Sequence, residues 1–482
     1  MWWAIVGWGV AQGADLDTWI VAWTAELDGD RGTDGRDEAF DVAIDQTQHV
    51  VVAGYLDGDA GLGRTALLAT FERHDGSLLW SLREEAGALS ATDDVYFGVD
   101  FAPASNELAW CGQRAGIDGP EPVDPLTAYF VDARVPDLSG IHFESDPLWS
   151  EGFEAVPGTG RDQACRSLDR AGLNLFTTGD VATAGGGRQW ITRVQAANSG
   201  ELEDGATFAL ADPADVERGL AVAGDPLNTE HAVVGSSSIG ETESRAVIRF
   251  VEAGGAVRWS DTVESPGDGP ATFHDVVYDT ARGLVAAVGT YQRGTEAASD
   301  RQGFVRIYTA AGQDGSPDAQ LTLELTGSPG DDHATSVAFD ADGRLLVGGS
   351  LADATTGIER WHVVRLSEST GDVLSTWEGP TTSGHSRIQA IAQRDEVLVA
   401  VGFVDRGLTV DAGVVMLNPD RDRDGVADIV DQCPDDPDKI LQGICDCGVS
   451  EVDTDGDGFE DCIDRCPEDP EKTTREGECG CG

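Results

Sequence analysis

The stretch FHDVVYDTARGLVAAVG, residues 273 to 289, sets two apolar, β-branched runs on either side of Thr280-Ala281-Arg282-Gly283, and the second run ends in glycine. Short runs of this composition, cut by a polar and glycine-bearing break, read as two strands joined by a turn. One such hairpin is at best marginally stable in water. The fold therefore depends on whether the pattern recurs.

It recurs along most of the chain. The glycine-ended run appears as HVVVAG (49–54), ELAWCG (107–112), NLFTTG (174–179), HAVVG (231–235), LVAAVG (284–289), LLVGG (345–349) and VLVAVG (397–402). Ahead of it lies another short strand ending near an acid, as in AFDVAID (39–45), FHDVVYD (273–279) and ATSVAFD (334–340). A third strand follows, for example RAVIRFV from 245, GFVRIYT from 303 and AGVVMLN from 412. A fourth carries a tryptophan in several copies: Trp80, Trp149, Trp259 and Trp377.

A copy returns roughly every 60 residues, the size of one four-stranded propeller blade. The last copy ends after three strands, while TWIVAWTAELDGD near the N-terminus precedes the first complete one. Trp23 stands as far before Phe40 as Trp80 stands before Phe97, which places Trp23 on the missing fourth strand. The expected fold is all-β: a seven-bladed β-propeller over residues 16–418, closed by an N-terminal strand, which leaves no sheet edge open. A pair of aligned β-sandwiches is the alternative. Residues 16–418 also resemble the loosely conserved propeller repeats of secreted bacterial proteins, a likeness of fold that says little of function.

The tail, residues 419–482, changes character. It holds Asp420-Arg-Asp422-Arg-Asp424-Gly425-Val426-Ala-Asp428-Ile-Val-Asp431 and, 33 residues on, Asp453-Thr-Asp455-Gly-Asp457-Gly458-Phe459-Glu-Asp461-Cys-Ile-Asp464. Ca²⁺ takes six to eight oxygens, and a loop wrapped round it supplies side chains at positions 1, 3, 5, 9 and 12, a carbonyl at 7 and a glycine at 6. Both copies fill every position, with Val426 and Phe459 as carbonyl donors. Five carboxylates so crowded repel one another without a cation, so the expected cofactor is Ca²⁺, bound as part of the fold. A solvated acidic linker is the plainer reading, and the repeated spacing argues against it.

Each loop runs into Cys-Pro, at 433–434 and 466–467, rather than into an amphipathic helix. With DQCPDDPDK, DTDGDGFEDCIDRCPEDPEK and the terminal CGCG, the tail closely resembles thrombospondin type 3 repeats. The resemblance implies an extracellular array in which ions and disulfides replace a hydrophobic core, with the ten aspartates as its metal ligands. CDCG at 445–448 departs from the CGCG at the end.

Seven of the nine cysteines crowd the tail, which points to an oxidising compartment. Pairing of neighbours, Cys433 with Cys445, Cys447 with Cys462 and Cys466 with Cys479, is one scheme and leaves Cys481 over; sequence alone does not fix connectivity. Cys111 and Cys165 suit either a bridge between blades or two buried thiols.

The net charge of −55, from 87 acidic and 32 basic residues, repels nucleic acid and anionic lipid. Only two lysines occur, Lys439 and Lys472, both in the tail. Residues 1–14 read as a signal peptide, with Ala11-Gln12-Gly13 as a cleavage site though no basic residue precedes the apolar run; a first β-strand or a mis-assigned start is the other reading. No apolar run is long enough to span a membrane.

Catalytic signatures are missing. The eight histidines are scattered singly, without HExxH, and neither a GxSxG elbow nor a phosphate loop occurs. DGSLLWS (75–81) and GGAVRWS (254–260) resemble the tryptophan-bearing blades of quinoprotein-like propellers, which include dehydrogenases and non-enzymatic assembly factors. His274 with Asp275, and Asp331, Asp332 and His333, stand where first strands begin and could line a central channel to hold a ligand or ion; turn and capping roles are the ordinary reading.

The sequence thus leads to a non-enzymatic secreted or cell-surface protein. Its propeller would offer a face to a protein or glycan ligand, and its calcium-stiffened tail would serve as spacer or cell-envelope attachment. A quinone-dependent oxidoreductase or a glycan lyase or hydrolase, with structural calcium, is the alternative.

Overall fold

The computed structural model describes residues 4–7, 19–27, 36–46, 49–57, 64–84, 94–101, 108–115, 127–134, 149–153, 163–183, 187–208, 215–239, 243–266, 269–293, 300–313, 316–326, 330–379, 382–407, 409–473 and 480–481. Among these there is no helix, and twenty-nine strands account for the fold. Contacts divide the chain into two compact units, Met1–Ala14 with Thr24–Val415, and Asp15–Trp23 with Met416–Gly482.

Two N-terminal strands come first, β1 (Ala4–Gly7) and β2 (Trp19–Leu27). Six up-and-down meanders follow: β3 to β6 (Glu38–Ile44, Val50–Asp57, Arg64–Phe71, Leu78–Glu84), β7 to β10 (Val95–Phe101, Leu108–Ala115, Thr127–Arg134, Trp149–Phe153), and β11 to β14 (Gln163–Ala171, Asn174–Ala182, Arg188–Ala196, Leu202–Phe208). Next are β15 to β18 (Val216–Gly224, His231–Ile239, Glu243–Val251, Val257–Val263), β19 to β22 (Ala271–Asp279, Leu284–Gln292, Arg301–Gln313, Ser316–Thr326), and β23 to β26 (His333–Phe339, Leu345–Ala352, Glu359–Leu366, Val373–Glu378). The last sheet orders β27 (Ser386–Arg394), β28 (Val397–Asp405) and β29 (Val410–Pro419) with β2 at its far edge, as the position of Trp23 predicts. Trp80, Trp149, Trp259 and Trp377 all lie on fourth strands. β1 pairs in parallel with β22.

First strands lie beside one another in succession: β3 by β7, β7 by β11, then β15, β19, β23 and β27, and β27 returns to β3. This is β-propeller architecture. The core lies between successive sheets, where Phe250, Trp259, Phe273 and Tyr308 form one buried cluster and Tyr96, Trp110 and Leu68 another. Trp110 and Trp259 therefore pack between blades, with Trp80 against the second cluster.

The recurring glycine has a steric cause. Each first strand carries a β-bulge, at Phe40, Phe97, Arg166, Leu220, His274, Thr335 and Gln389, and the paired glycine on the second strand stands opposite the bulge. A Cβ on Gly54, Gly112, Gly179, Gly235, Gly289, Gly349 or Gly402 would stand 1.8 to 2.4 Å from a first-strand carbonyl oxygen. Only glycine fits beneath the displaced carbonyl.

The bulges also turn acidic side chains toward the next sheet. Asp41 accepts the Val99 N–H at 2.9 Å, Asp100 the Arg170 N–H at 2.7 Å, Asp169 the Gly224 N–H at 2.6 Å and Asp275 the Val337 N–H at 2.8 Å. Ser336 Oγ does the same for Ile391 at 3.1 Å. First-strand edges would otherwise bury unpaired N–H groups, each costing about 1–3 kcal/mol. Arg394 completes the succession by donating to the Ile44 carbonyl at 3.1 Å.

Cys111 of β8 and Cys165 of β11 form a disulfide between neighbouring sheets, settling the choice the sequence left open. In the tail the bridges are Cys433–Cys447, Cys445–Cys462 and Cys466–Cys481. Pairing of neighbours is therefore wrong, and Cys481 is not left over; Cys479 lies outside the described residues. Lys439 Nζ gathers the carbonyls of Gln442, Cys445 and Asp446, folding the segment back so that Cys447, not Cys445, reaches Cys433.

Candidate metal centre

The tail loops repeat bond for bond. Asp420 accepts the N–H groups of Arg423 and Gly425, and Asp453 those of Gly456 and Gly458. Asp422 Oδ1 takes Asp424 N–H and Asp424 Oδ1 takes Val426 N–H; Asp455 and Asp457 do likewise with Asp457 and Phe459. Asp431 Oδ1 holds the Cys433 N–H at 2.8 Å and Asp464 Oδ1 the Cys466 N–H at 2.9 Å, tying each loop to its disulfide. Among the described residues no helix follows either loop, which argues against a helix-flanked hand.

In each case the second oxygen is what matters. The Oδ2 atoms of Asp422, Asp424, Asp431, Asp455, Asp457 and Asp464 are buried and have no hydrogen-bond partner. One oxygen from each of Asp420, Asp422 and Asp424 lies within 4.8 Å of the others, and the same holds for Asp453, Asp455 and Asp457. Lost hydration, and after it the repulsion of the neighbouring carboxylates, push Asp422 and Asp455 up. A hard dication bound by several carboxylate oxygens removes both costs, so the residues fit Ca²⁺.

Asp428 and Asp461 are placed differently. Asp461 accepts the Thr454 N–H at 2.9 Å and its hydroxyl at 2.6 Å; Asp428 accepts the Arg421 N–H at 3.0 Å and faces its guanidinium at 3.1 Å. Both brace loop position 2. Gly425 and Gly458 adopt φ +93°, as their place in the turn requires. Position 4 is left-handed as well, with Gly456 at +79° but Arg423 at +66°. Sequence spacing gives no sign of that strain.

In the propeller, a cavity of about 590 Å³ is lined by the first strands, among them Asp41, Asp100, Asp169, His274, Asp275 and Ser336. His274 and Asp275 thus do line it, whereas Asp332 caps the Ala352 N–H at 3.0 Å and is buried in a turn role. Burial pushes Asp41 up to about 7 and His274 down to about 4. Asp169 is also raised by burial and by Asp100, with which it shares a hydrogen bond. These acids already hold backbone N–H groups of the neighbouring strand, which accounts for their burial without chemistry. Neutral His274 lies against Thr290 Oγ1 at 3.2 Å, and His333 reaches the same oxygen at 3.5 Å.

No protein-family model matches the chain, and no curated protein matches it in sequence. Among solved structures it is similar to the polysaccharide lyase Uly1, at 9% identity and TM-score 0.47, over 79% of this chain and 89% of that one. It is also similar to extracellular domains 1–2 of Drosophila Semaphorin 1b, at 9% identity and TM-score 0.44, over 87% and 90%. The β-propeller domain of the Trilobed protease from Pyrococcus furiosus matches at 11% identity and TM-score 0.40, over 79% and 93%.

Proposed function

We propose that this chain is a non-enzymatic calcium-binding protein of the cell surface or the extracellular space. Its seven four-stranded units are read as a seven-bladed ring whose face recognises a protein or glycan, and its tail as a calcium-stiffened thrombospondin type 3-like spacer or anchor. The observation that carries this reading is the pair of loops whose inward Oδ2 atoms are buried and without partners. Asp420, Asp422, Asp424 and Asp431 hold one ion, with Asp453, Asp455, Asp457 and Asp464 holding the other; the Val426 and Phe459 carbonyls complete them, and Asp428 and Asp461 contribute through water.

The cyclic succession of first strands supports the ring, and β2 beside β29 supports its closure from the N-terminus. Four disulfides support an oxidising compartment. Among the described residues no helix is long and apolar enough to cross a membrane. The non-enzymatic reading rests on the buried acids Asp41, Asp100, Asp169 and Asp275, which hold backbone N–H groups of neighbouring strands. Calcium titration of the intact protein, with Asp422→Ala and Asp455→Ala variants, tests the reading: two ions are expected in the wild type, one fewer in each variant.

A further inference from the structure

We propose that His333, Glu359 and Asp331 form a zinc-class divalent cation site in the propeller. His333 opens β23 and Glu359 opens β25, while Asp331 precedes His333 by two residues. One ligand atom from each lies within 4.8 Å of the others. Their sequence separation hides the cluster, because β-sheet pairing rather than a local motif assembles it.

The second observation is an unfilled valence. His333 is 3% exposed, and its Nε2 is buried with no hydrogen-bond partner, although it points at Glu359, whose Oε2 lies 3.9 Å away. A buried polar atom left unpaired costs about 1–3 kcal/mol. The ring is held from its other side by Thr290 Oγ1 near Nδ1 at 3.5 Å. The site thus presents an imidazole nitrogen with nothing to bind but an ion or water.

Glu359 is oriented for the same task. Its Oε2, the oxygen that faces His333 Nε2, accepts Ser350 Oγ at 2.7 Å and Arg387 Nη2 at 2.7 Å, which fixes the carboxylate in place. Outer groups of this kind position metal-binding carboxylates. Arg387 adds a positive charge, but that charge is already matched by the oxygen it holds. On the exposed side, His385 Nδ1 accepts the Glu359 backbone N–H at 3.4 Å and lies 3.5 Å from Glu359 Oε1. Asp331 keeps its place by accepting the Arg301 N–H at 3.1 Å.

A nitrogen donor among a few carboxylates suits Zn²⁺ and its late first-row neighbours, which take about four ligands near 2.0–2.2 Å, and does not suit Ca²⁺ with its six to eight oxygens. The ligand atoms need to close by about an ångström to meet a single ion of that radius.

The test is Zn²⁺ calorimetry on the intact protein in excess Ca²⁺, so that the tail loops are filled, with Co²⁺ absorbance as a second readout. The wild type is expected to bind one Zn²⁺ and to give a Co²⁺ d–d band. His333→Ala and Asp331→Asn are each expected to weaken Zn²⁺ at least tenfold, and His333→Ala to change or abolish the band. Asp331→Asn keeps an oxygen for the Arg301 N–H, so it separates loss of a ligand from loss of fold. His74→Ala, at an exposed histidine elsewhere, is expected to change nothing. No Zn²⁺ site in the wild type, or unchanged affinity in either ligand variant, overturns the proposal.

Discussion

Asp275 Oδ2 accepts the Val337 N–H at 2.8 Å and the Ser336 hydroxyl at 2.7 Å, so one side chain on β19 secures the edge of β23. Replacement by alanine leaves two buried donors unpaired, and Asp275→Ala is expected to cost about 2–4 kcal/mol of propeller stability. Asp275→Asn, which keeps one acceptor oxygen, should cost less than half as much. Thermal unfolding of the two variants checks the order.

Buried carboxyls give the propeller a signed pH dependence. Asp41 is raised from 3.8 to about 7, and Asp169 is raised too, so between roughly pH 4 and 7 the folded state holds protons that the unfolded state has released. Stability from these groups is fully present below about pH 4 and is lost as pH rises through the folded values. Asp169→Asn cannot titrate. Its stability relative to wild type should therefore improve between pH 4 and 8, by roughly 1 kcal/mol or more. Denaturant midpoints across that range test this; a relative stability that worsens with rising pH contradicts it.

Gly235 marks the cost of a side chain beneath a bulge. A Cβ there would stand 1.9 Å from the Arg218 carbonyl oxygen, and Gly235→Ala is expected to lose about 3 kcal/mol or more. Gly357→Ala, at φ +69° with nothing within 4 Å, should lose only about 1 kcal/mol. Equal losses by thermal melting would remove the bulge explanation.

The sequence carried this architecture because the glycine and the strand around it recur with each blade. It did not carry the bulge, since displacement of a carbonyl leaves no residue of its own at Phe40, Leu220 or Gln389. Asp100 and Asp169 carry no signal for the same reason: they sit inside strands, where an acid ordinarily marks a solvated face. In the tail, the aspartate spacing is local and so legible, whereas disulfide connectivity depends on how Lys439 folds the segment back. Glu359 escaped notice because it stands on a different strand from His333.

Arg423 separates the two aspartate loops energetically. It holds φ +66° where Gly456 holds +79°, and a left-handed conformation costs a residue with Cβ about 1–2 kcal/mol. Arg423→Gly should therefore tighten the first loop's ion about 5-fold or more, leaving the second unchanged. Competition with a calcium chelator resolves the two affinities.

Peptide mapping under non-reducing conditions should recover Cys433 linked to Cys447, Cys445 to Cys462 and Cys466 to Cys481. Recovery of Cys433 joined to Cys445 would show that Lys439 does not organise the turn as described.

The most direct measurement is calcium calorimetry on the intact, oxidised protein after chelator treatment, beside Asp457→Ala and Asp45→Ala. Two Ca²⁺ per chain are expected in the wild type and in Asp45→Ala, with loss of the second loop's ion in Asp457→Ala. Absence of calcium binding with the disulfides intact, or identical titrations for all three proteins, would contradict it.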